Sequence, residues 1–328
     1  MKLAIRITAA LVVALGLAAC GSAGDGSGAD AGADADTDAD ADADTDADAD
    51  SDADTDADTD ADSGVALAGE LELVEDRMLG TSMGKLLGAV NPGGLVVWQQ
   101  DVTTEGDCKL LKFVPSSCVD YCEGVCVDED VCAPWPTYAD LGTLDVTGAA
   151  VEIAVEPGEY MVLGTNTYYW SQLADVLFDD GDPITATFEG GEQPGFSVSA
   201  QGVAPLALTT VSDDEITLPN GQDTLFEWEA GSGDERVRVT FNANSSGGHG
   251  TPYEAILVCD TADDGSLTIP RALVEGFPET YRWEACAGKD CPLSTAVRYR
   301  RGTAEIAGGV FELRVGSSVE FYVIHDLP

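Results

Sequence analysis

The chain has 328 residues, of which 60 are acidic and 15 are basic, so its formal net charge is −45 at neutral pH. Two of the basic residues lie in the first 19 positions and 17 aspartates lie in residues 21–63, so residues 64–328 retain 13 basic and 43 acidic residues. Such a surface repels a phosphate backbone, which argues against nucleic-acid binding.

Residues 1–19 are organised like a bacterial export signal. Lys2 and Arg6 make a positive start, and residues 11–17 form a short apolar core. The sequence Leu17-Ala18-Ala19-Cys20 resembles the lipobox of bacterial lipoproteins. The resemblance implies cleavage before Cys20 and acylation of its thiol and its new amino terminus. The apolar core is shorter than the ~20 residues of a membrane-spanning helix, and an ordinary export signal needs no cysteine.

Residues 20–63 predict a lipidated cysteine followed by a disordered acidic tether. Residues 21–63 contain only Gly, Ser, Ala, Thr and Asp, with aspartate at every second position from Asp34 to Asp62. This composition has no apolar surface to offset the entropy of ordering. A flexible chain of this length spans about 35 Å, and full extension allows about 150 Å. A specific Ca²⁺ loop needs a glycine that the Asp-Ala repeat lacks, whereas O-linked sugars on the threonines stay an open alternative.

The cysteines other than Cys20 form two groups of odd size. Outside the cytosol an even number of cysteines predicts disulfides, here four, and at least one of them must join the two groups if all eight pair. Zinc is the weaker alternative because no histidine lies near the first group. The spacing leaves the pairing open. The eight are Cys108, Cys118, Cys122, Cys126, Cys132, Cys259, Cys286 and Cys291.

The region 64–328 alternates apolar and polar residues in short runs, which predicts strands with one buried face. We therefore predict an all-β fold of two antiparallel β-sandwich-like modules, 64–205 and 206–328, with the cysteine cluster 108–132 as a disulfide-rich insert of the first. Short helices are predicted at 171–178 and 270–276, and a final hairpin at 310–324. The clearest strand patterns are 71–74, 151–156, 184–188, 196–199, 225–228, 236–241, 255–258, 311–315 and 318–323.

The second module resembles an immunoglobulin-like or fibronectin-like sandwich. The matching residues are Pro219, Thr224-Leu225 and Trp228, a tryptophan on an early strand. Leader, acidic tether, cysteine cluster and strand-rich tail together resemble the uncharacterised surface lipoproteins of myxobacteria. Neither resemblance implies a ligand.

One segment matches a catalytic motif. Gly80-Thr81-Ser82-Met83-Gly84 has the G-x-S-x-G pattern of the α/β-hydrolase nucleophile elbow, in which a strand delivers the serine to a turn that opens a helix. His249 or His325 would have to be the base. Because no alternation of strands and helices follows, we interpret Ser82 as a loop residue and keep a serine hydrolase as the alternative function. Two histidines also cannot supply a three-histidine catalytic zinc.

Aromatic residues form one candidate ligand platform. Tyr168-Tyr169-Trp170 and Trp135 supply rings of the kind that stack on sugars and extended peptides, with core packing at a strand end as the alternative.

Two charged segments are interpreted as solvated. The basic cluster Arg298, Arg300 and Arg301 is expected on the solvated face of one strand. We interpret residues 179–182 as a solvated acidic turn, with an irregular Ca²⁺ site as the weaker alternative.

These features predict a non-enzymatic, lipid-anchored protein of the bacterial cell envelope. Gly21 stands where aspartate often marks inner-membrane retention, so the outer membrane is expected, with the folded region in the periplasm or at the surface. The expected partners are the membrane, through acylated Cys20, and an envelope protein or a glycan. We predict a binding, adhesion or structural role without metal or cofactor.

Overall fold

The computed structural model describes residues 67–78, 81–91, 98–99, 101–113, 118, 122–160, 163–174, 176–243, 253–280 and 292–325. The leader, Cys20, the tether, His249, Cys286 and Cys291 lie outside these ranges, so the predictions that concern them stay predictions. The regular secondary structure of the described residues is almost entirely β-strand, with one short helix, which confirms the all-β fold, and the described residues belong to one compact unit. No helix among them has the length and apolarity needed to cross a bilayer.

The elements follow one another in a simple order. In the first half they are β1 (Leu67–Met78), β2 (Thr81–Val90), β3 (Asp101–Glu105), β4 (Cys108–Lys112), β5 (Gly124–Asp128), β6 (Val131–Pro134), β7 (Leu144–Thr147), β8 (Ile153–Val155), β9 (Gly158–Tyr160), β10 (Gly164–Leu173), β11 (Pro183–Gly190) and β12 (Pro194–Gln201). In the second half they are β13 (Glu215–Thr217), β14 (Thr224–Glu227), β15 (Arg236–Ala243), β16 (Ala255–Ala262), β17 (Ser266–Ile269), α1 (Arg271–Gly276), β18 (Ser294–Ile306) and β19 (Gly309–Ile324).

A single large sheet runs through both halves of the sequence. Its strand order is β3-β4-β16-β15-β18-β19-β1-β2-β10-β9, and β13 pairs with the end of β19. The neighbours along this order are antiparallel except β1 and β19, which run parallel, as do β13 and β19. A second sheet, β12-β11-β7-β8, and two short antiparallel pairs, β14-β17 and β5-β6, complete the described strands.

The two largest hydrophobic cores of the described residues lie on the same face of the large sheet. Directly paired residues point to the same side, and alternate residues of one strand share a face. The odd-numbered residues of β19 therefore contact the first core near Phe311 and the second near Phe321. The second sheet covers the first core, and β13, β14, β17 and α1 cover the second.

The boundary predicted at 205/206 falls between the two cores, although the sheet crosses it. Val203 belongs to the first core and Leu206 to the second. Each half of the sequence also contributes a strand to the core of the other half. β4 contributes Cys108 and Leu110 to the second core, and the first half of β19 contributes to the first core. The two halves therefore share one sheet instead of forming separate sandwiches.

A polar junction separates the cores and holds the crossing segment. Arg298 and Arg300 lie on the core face of β18 and bind backbone carbonyls of the segment 202–206, with Arg298 Nη1 3.0 Å from Pro205 O and Arg300 Nη1 2.6 Å from Gly202 O. Arg298 Nε also lies 2.5 Å from the Asp263 carboxylate, and both side chains are almost completely buried. The prediction that Arg298 lies on a solvated face is therefore wrong, because a buried carboxylate compensates its charge.

Two local predictions also need correction. Residues 310–324 form one long strand instead of a hairpin. Gly316 continues this strand, and its lack of a side chain matters because a Cβ there would lie 2.6 Å from Arg298 O. The turn of the hairpin lies earlier, at Ala307-Gly308. No helix forms at the described residues of 171–178, since β10 continues to Leu173. The helix predicted at 270–276 is confirmed as α1.

Candidate functional site

Strand alternation separates the three consecutive aromatic residues of the predicted platform. Tyr168 points into the first core and is fully buried; its hydroxyl donates to Gly142 O at 2.8 Å and accepts from Leu141 N at 3.1 Å. Burial raises the pKa of Tyr168 to about 12. Tyr168 is therefore a core residue, in agreement with the alternative interpretation of core packing, and it is not available to a ligand.

Tyr169 points to the opposite face of the large sheet and meets a ring from the edge strand. Its ring lies 5.0 Å from that of Tyr160 on β9, edge to face, and the Tyr160 hydroxyl donates to Tyr169 O at 3.1 Å. Both residues are half-buried. Trp170 follows on the core side of β10 but is 40% exposed, so it does not share a surface with Tyr169.

Trp135 is held beside the start of β10 and pairs with a residue that the sequence did not single out. The Thr165 amide donates to Pro136 O at 3.0 Å, and the Tyr138 amide donates to Thr165 O, which fixes the segment after Trp135 along β10. The Trp135 ring lies 6.1 Å from that of Trp98, nearly perpendicular to it. Trp98 is 37 residues away in the chain, so only the fold brings the two together.

We name the two ring pairs, Trp98 with Trp135 and Tyr160 with Tyr169, the aromatic edge. At Thr165, β10 has β9 on one side and the segment 136–138 on the other. β9 and the segment 136–138 are therefore two strand spacings apart, about 10 Å. Thr165 and Tyr169 are four residues apart along β10, about 13 Å. All four rings are half-buried. The aromatic edge thus consists of two ring pairs on segments that flank β10 at the β9 end of the large sheet.

Ser82 lies in a backbone setting that differs from a nucleophile elbow. It is the second residue of β2, where it pairs with Arg77 of the antiparallel strand β1, so the interpretation of Ser82 as a loop residue is wrong. β2 continues to Val90, so no helix opens after the motif as it does in a nucleophile elbow. Arg77 pairs in turn with Val319, and six strand residues, about 20 Å, separate Val319 from His325. His325 is itself fully buried, with Nδ1 3.0 Å from Pro278 O.

Six of the eight predicted disulfide cysteines lie in described residues, and all six are bonded. Cys108–Cys259 joins the two cysteine groups across adjacent strands β4 and β16, with a Cα–Cα distance of 4.0 Å. This bridge is the cross-link between the groups that the odd counts required. The other two bridges between described cysteines are Cys118–Cys126 and Cys122–Cys132.

The cysteine cluster brings three sulfur atoms within 4.8 Å of one another, a spacing that a metal could use. The atoms belong to Cys118, Cys122 and Cys126, and each is engaged in one of the two neighbouring disulfides. A metal binds thiolates and not disulfide sulfur. The proximity therefore follows from two adjacent bridges that fasten the preceding segment to β5 and β6.

The face of the large sheet opposite the cores carries buried ion pairs that sequence patterns did not indicate. Lys85 Nζ contacts Asp76 and lies 2.9 Å from Glu320, and the Ser318 hydroxyl donates to Asp76 at 2.9 Å. Burial and the neighbouring Asp76 raise the pKa of Glu320 to about 7, against the opposing effect of Lys85. Burial raises the pKa of Glu70 to about 7 as well.

An arginine-tyrosine stack lies on the same face. The Tyr299 ring lies between Arg238 and Arg314, whose guanidinium carbons are 5.4 and 5.9 Å from its centroid, and its hydroxyl donates to Asp260 at 2.7 Å. Burial alone would raise the pKa of Asp260. The Arg238 charge and the hydrogen bonds from Tyr299 and Arg236 outweigh this effect and lower the pKa of Asp260 to about 2. Arg314 also lies 3.0 Å from Glu70. These groups connect neighbouring strands of the sheet and fix their register.

No protein-family model matches the chain, and no curated protein sequence matches it.

Proposed function

We propose that the chain is a non-enzymatic, lipid-anchored protein of the bacterial cell envelope that binds an envelope glycan or protein through the aromatic edge. One observation carries the binding part of the proposal: four half-buried rings form two edge-to-face pairs at the β9 end of the large sheet, where backbone hydrogen bonds to β10 hold the segment after Trp135. Half-buried rings that are fixed in place offer apolar area at little entropic cost.

The chemistry of the aromatic edge favours an uncharged ligand. Glu159 is exposed on β9, and the chain as a whole is strongly acidic, so polyanions would be repelled. The C–H faces of neutral sugars stack on tryptophan and tyrosine without needing a charged partner. A neutral polysaccharide therefore fits better than a nucleic acid or an acidic polymer.

The disulfides support export, which the leader and the lipobox predict. Cys108 and Cys259 are buried and bridge two neighbouring strands of the large sheet. Disulfides of this kind form and persist outside the cytosol. In the proposal, Cys20 carries the lipid, residues 21–63 act as the spacer, and the outer membrane is the site of attachment.

Two experiments test the proposal separately. Metabolic labelling with a fatty acid should label the chain, and Cys20→Ala should abolish the label; a labelled variant would contradict lipidation at Cys20. Protease shaving of intact cells should then release peptides from residues 64–328 if the folded region faces outward. If these peptides appear only after the outer membrane is broken, the ligand is to be sought in the periplasm.

The binding role is tested with defined polysaccharides. Co-sedimentation with peptidoglycan sacculi and with neutral insoluble glucans should show saturable binding, and Trp135→Ala should weaken it strongly. Leu225→Ala is the matched control, since Leu225 is 51% exposed on β14, which belongs to the separate β14-β17 pair and not to the large sheet. Equal binding of the two variants would contradict the aromatic edge as the site, and no saturable binding to any of these probes would contradict the glycan ligand.

A further inference from the structure

The acidic segment leads directly into the interior of the large sheet. The last residue of that segment is Ser63, and β1 begins at Leu67. β1 is not an edge strand, because β19 lies on one side of it and β2 on the other. Any tension that arrives through residues 21–63 therefore reaches the fold at a central strand.

β1 is bonded to both neighbours along nearly its whole length. Its parallel ladder with β19 has ten register pairs, from Leu67 with Val310 to Arg77 with Val319. Its antiparallel ladder with β2 also has ten, from Gly69 with Val90 to Met78 with Thr81. Each ladder is about 33 Å long. Ladder hydrogen bonds run across the strands, so a pull along β1 loads them all at once instead of breaking them in turn.

Side chains on both faces hold β1 in register against such a pull. On the core face, Leu71 and Leu73 are fully buried. On the opposite face, Glu70 lies 3.0 Å from Arg314, and Asp76 accepts from Ser318 and contacts Lys85. A slip by one residue would move the leucines to the charged face and the carboxylates into the core.

We propose that the fold acts as a tension-bearing anchor, in which β1 carries force from the acidic segment in shear across two ladders and passes it to the rest of the sheet. The source of the force rests on the proposed membrane attachment, whereas the mechanical property belongs to the fold alone. The route also reaches the aromatic edge, because β2 pairs with β10, which carries Tyr169.

The parallel pairing of β1 and β19 allows a direct test. The start of β1 and the end of β19 lie at opposite ends of the ladder, whereas the start of β19 lies beside the start of β1. Pulling between residue 21 and the carboxyl end of the chain therefore shears β1. Pulling between residue 21 and a handle inserted in the turn Ala307-Gly308 instead peels β1 from β19 one bond at a time.

The measurement is single-molecule force spectroscopy on the oxidised chain from residue 21 onwards. We expect a rupture force several times higher in the shearing geometry than in the peeling geometry, since forced unfolding depends on the barrier that the ladders set together. Equal forces, or a higher force on peeling, would overturn the proposal. A protein that fails lipid labelling or glycan binding would still give this result, so the two proposals fail independently.

Two internal controls complete the design. The chain that carries the turn insertion is also pulled through its ends, and an undiminished force there shows that the insertion leaves the ladders intact. Reduction of Cys108–Cys259, whose residues are 151 apart in the chain, should add about 500 Å of extension after the first rupture without lowering that rupture force. A lower first force after reduction would place the resistance in the disulfide and not in β1.

Discussion

The buried ion pair at the junction of the two cores gives the sharpest stability prediction. Replacing Arg298 with Met removes the guanidinium that lies 2.5 Å from Asp263, whose side chain has no exposed surface. The carboxylate would keep Trp228 Nε1 as a donor, also 2.5 Å away, but would lose its compensating charge. The carbonyls of Pro205 and Glu229 would lose a donor as well.

The expected loss is large because the remaining charge is buried. Breaking a buried pair by removing one partner costs about 3–5 kcal/mol, so we expect Arg298→Met to lower the free energy of unfolding by about 4 kcal/mol. For a folded region of this size that corresponds to a decrease in Tm of about 10 °C. Total stabilities are about 5–15 kcal/mol, so the variant would lie close to the limit of folding.

Denaturant unfolding of the oxidised protein, followed by far-UV circular dichroism, measures the effect. Adding Asp263→Asn to Arg298→Met should recover a substantial part of the loss, because asparagine removes the charge and still accepts from Trp228. Arg271→Met is the matched control: its pair with Glu275 is exposed, and exposed pairs contribute less than about 1 kcal/mol. The reasoning is refuted if Arg298→Met behaves like Arg271→Met, or if the double variant is less stable than the single one.

Three further predictions concern the disulfide, the buried acids and the core tyrosine. Replacing both Cys108 and Cys259 with Ala should lower the free energy of unfolding by about 5 kcal/mol, since their bridge closes a loop of 151 residues in the unfolded chain; denaturant melts that match the wild type would contradict this. Because the pKa values of Glu70 and Glu320 are raised from 4.5 to about 7, the folded state binds more protons than the unfolded state between these values. Stability should therefore fall as pH rises from 4.5 to about 7 and then level off, and Glu320→Gln should flatten part of that slope in melts across this range; an unchanged slope would argue against the assignment. Tyr168→Phe should cost about 1–3 kcal/mol, because it leaves a buried backbone amide and carbonyl without the hydroxyl, and a neutral effect in the same melts would mean that other groups satisfy them.

Period-two patterns in the sequence predicted the strands well but said little about their partners. The alternation in 184–188 and 236–241 is matched by β11 and β15, and each has its predicted buried face. Alternation cannot say that β1 pairs with β19, since their residues are more than 230 positions apart and either strand could pair with many others. The long β19 was predicted as two strands, 311–315 and 318–323, whereas Gly316 continues the strand at a point where a Cβ would lie 2.6 Å from Arg298 O.

The candidate site was predictable only in part, and for a related reason. Three consecutive aromatic residues suggested one surface. In a strand, however, Tyr168 and Tyr169 point to opposite faces of the sheet, and Tyr168 is buried in the first core. Trp98 carried no signal of its own, because its ring partner, Trp135, is 37 positions later in the chain. Arg298 looked like a surface residue because its buried partner, Asp263, is 35 positions earlier in the chain.

The properties that depend on local composition and period could be read from the sequence by itself: it determined the all-β class and the need for a disulfide between the two cysteine groups, and it predicts an export signal and an acidic spacer. The tertiary structure alone decided that one sheet serves both cores, that Cys108 bonds to Cys259, and that the strand after the acidic segment lies between two long ladders. The physical reason is that alternation fixes which side chains share a face of a strand. Which strand lies beside it, and what covers that face, depend on contacts between residues far apart in the chain.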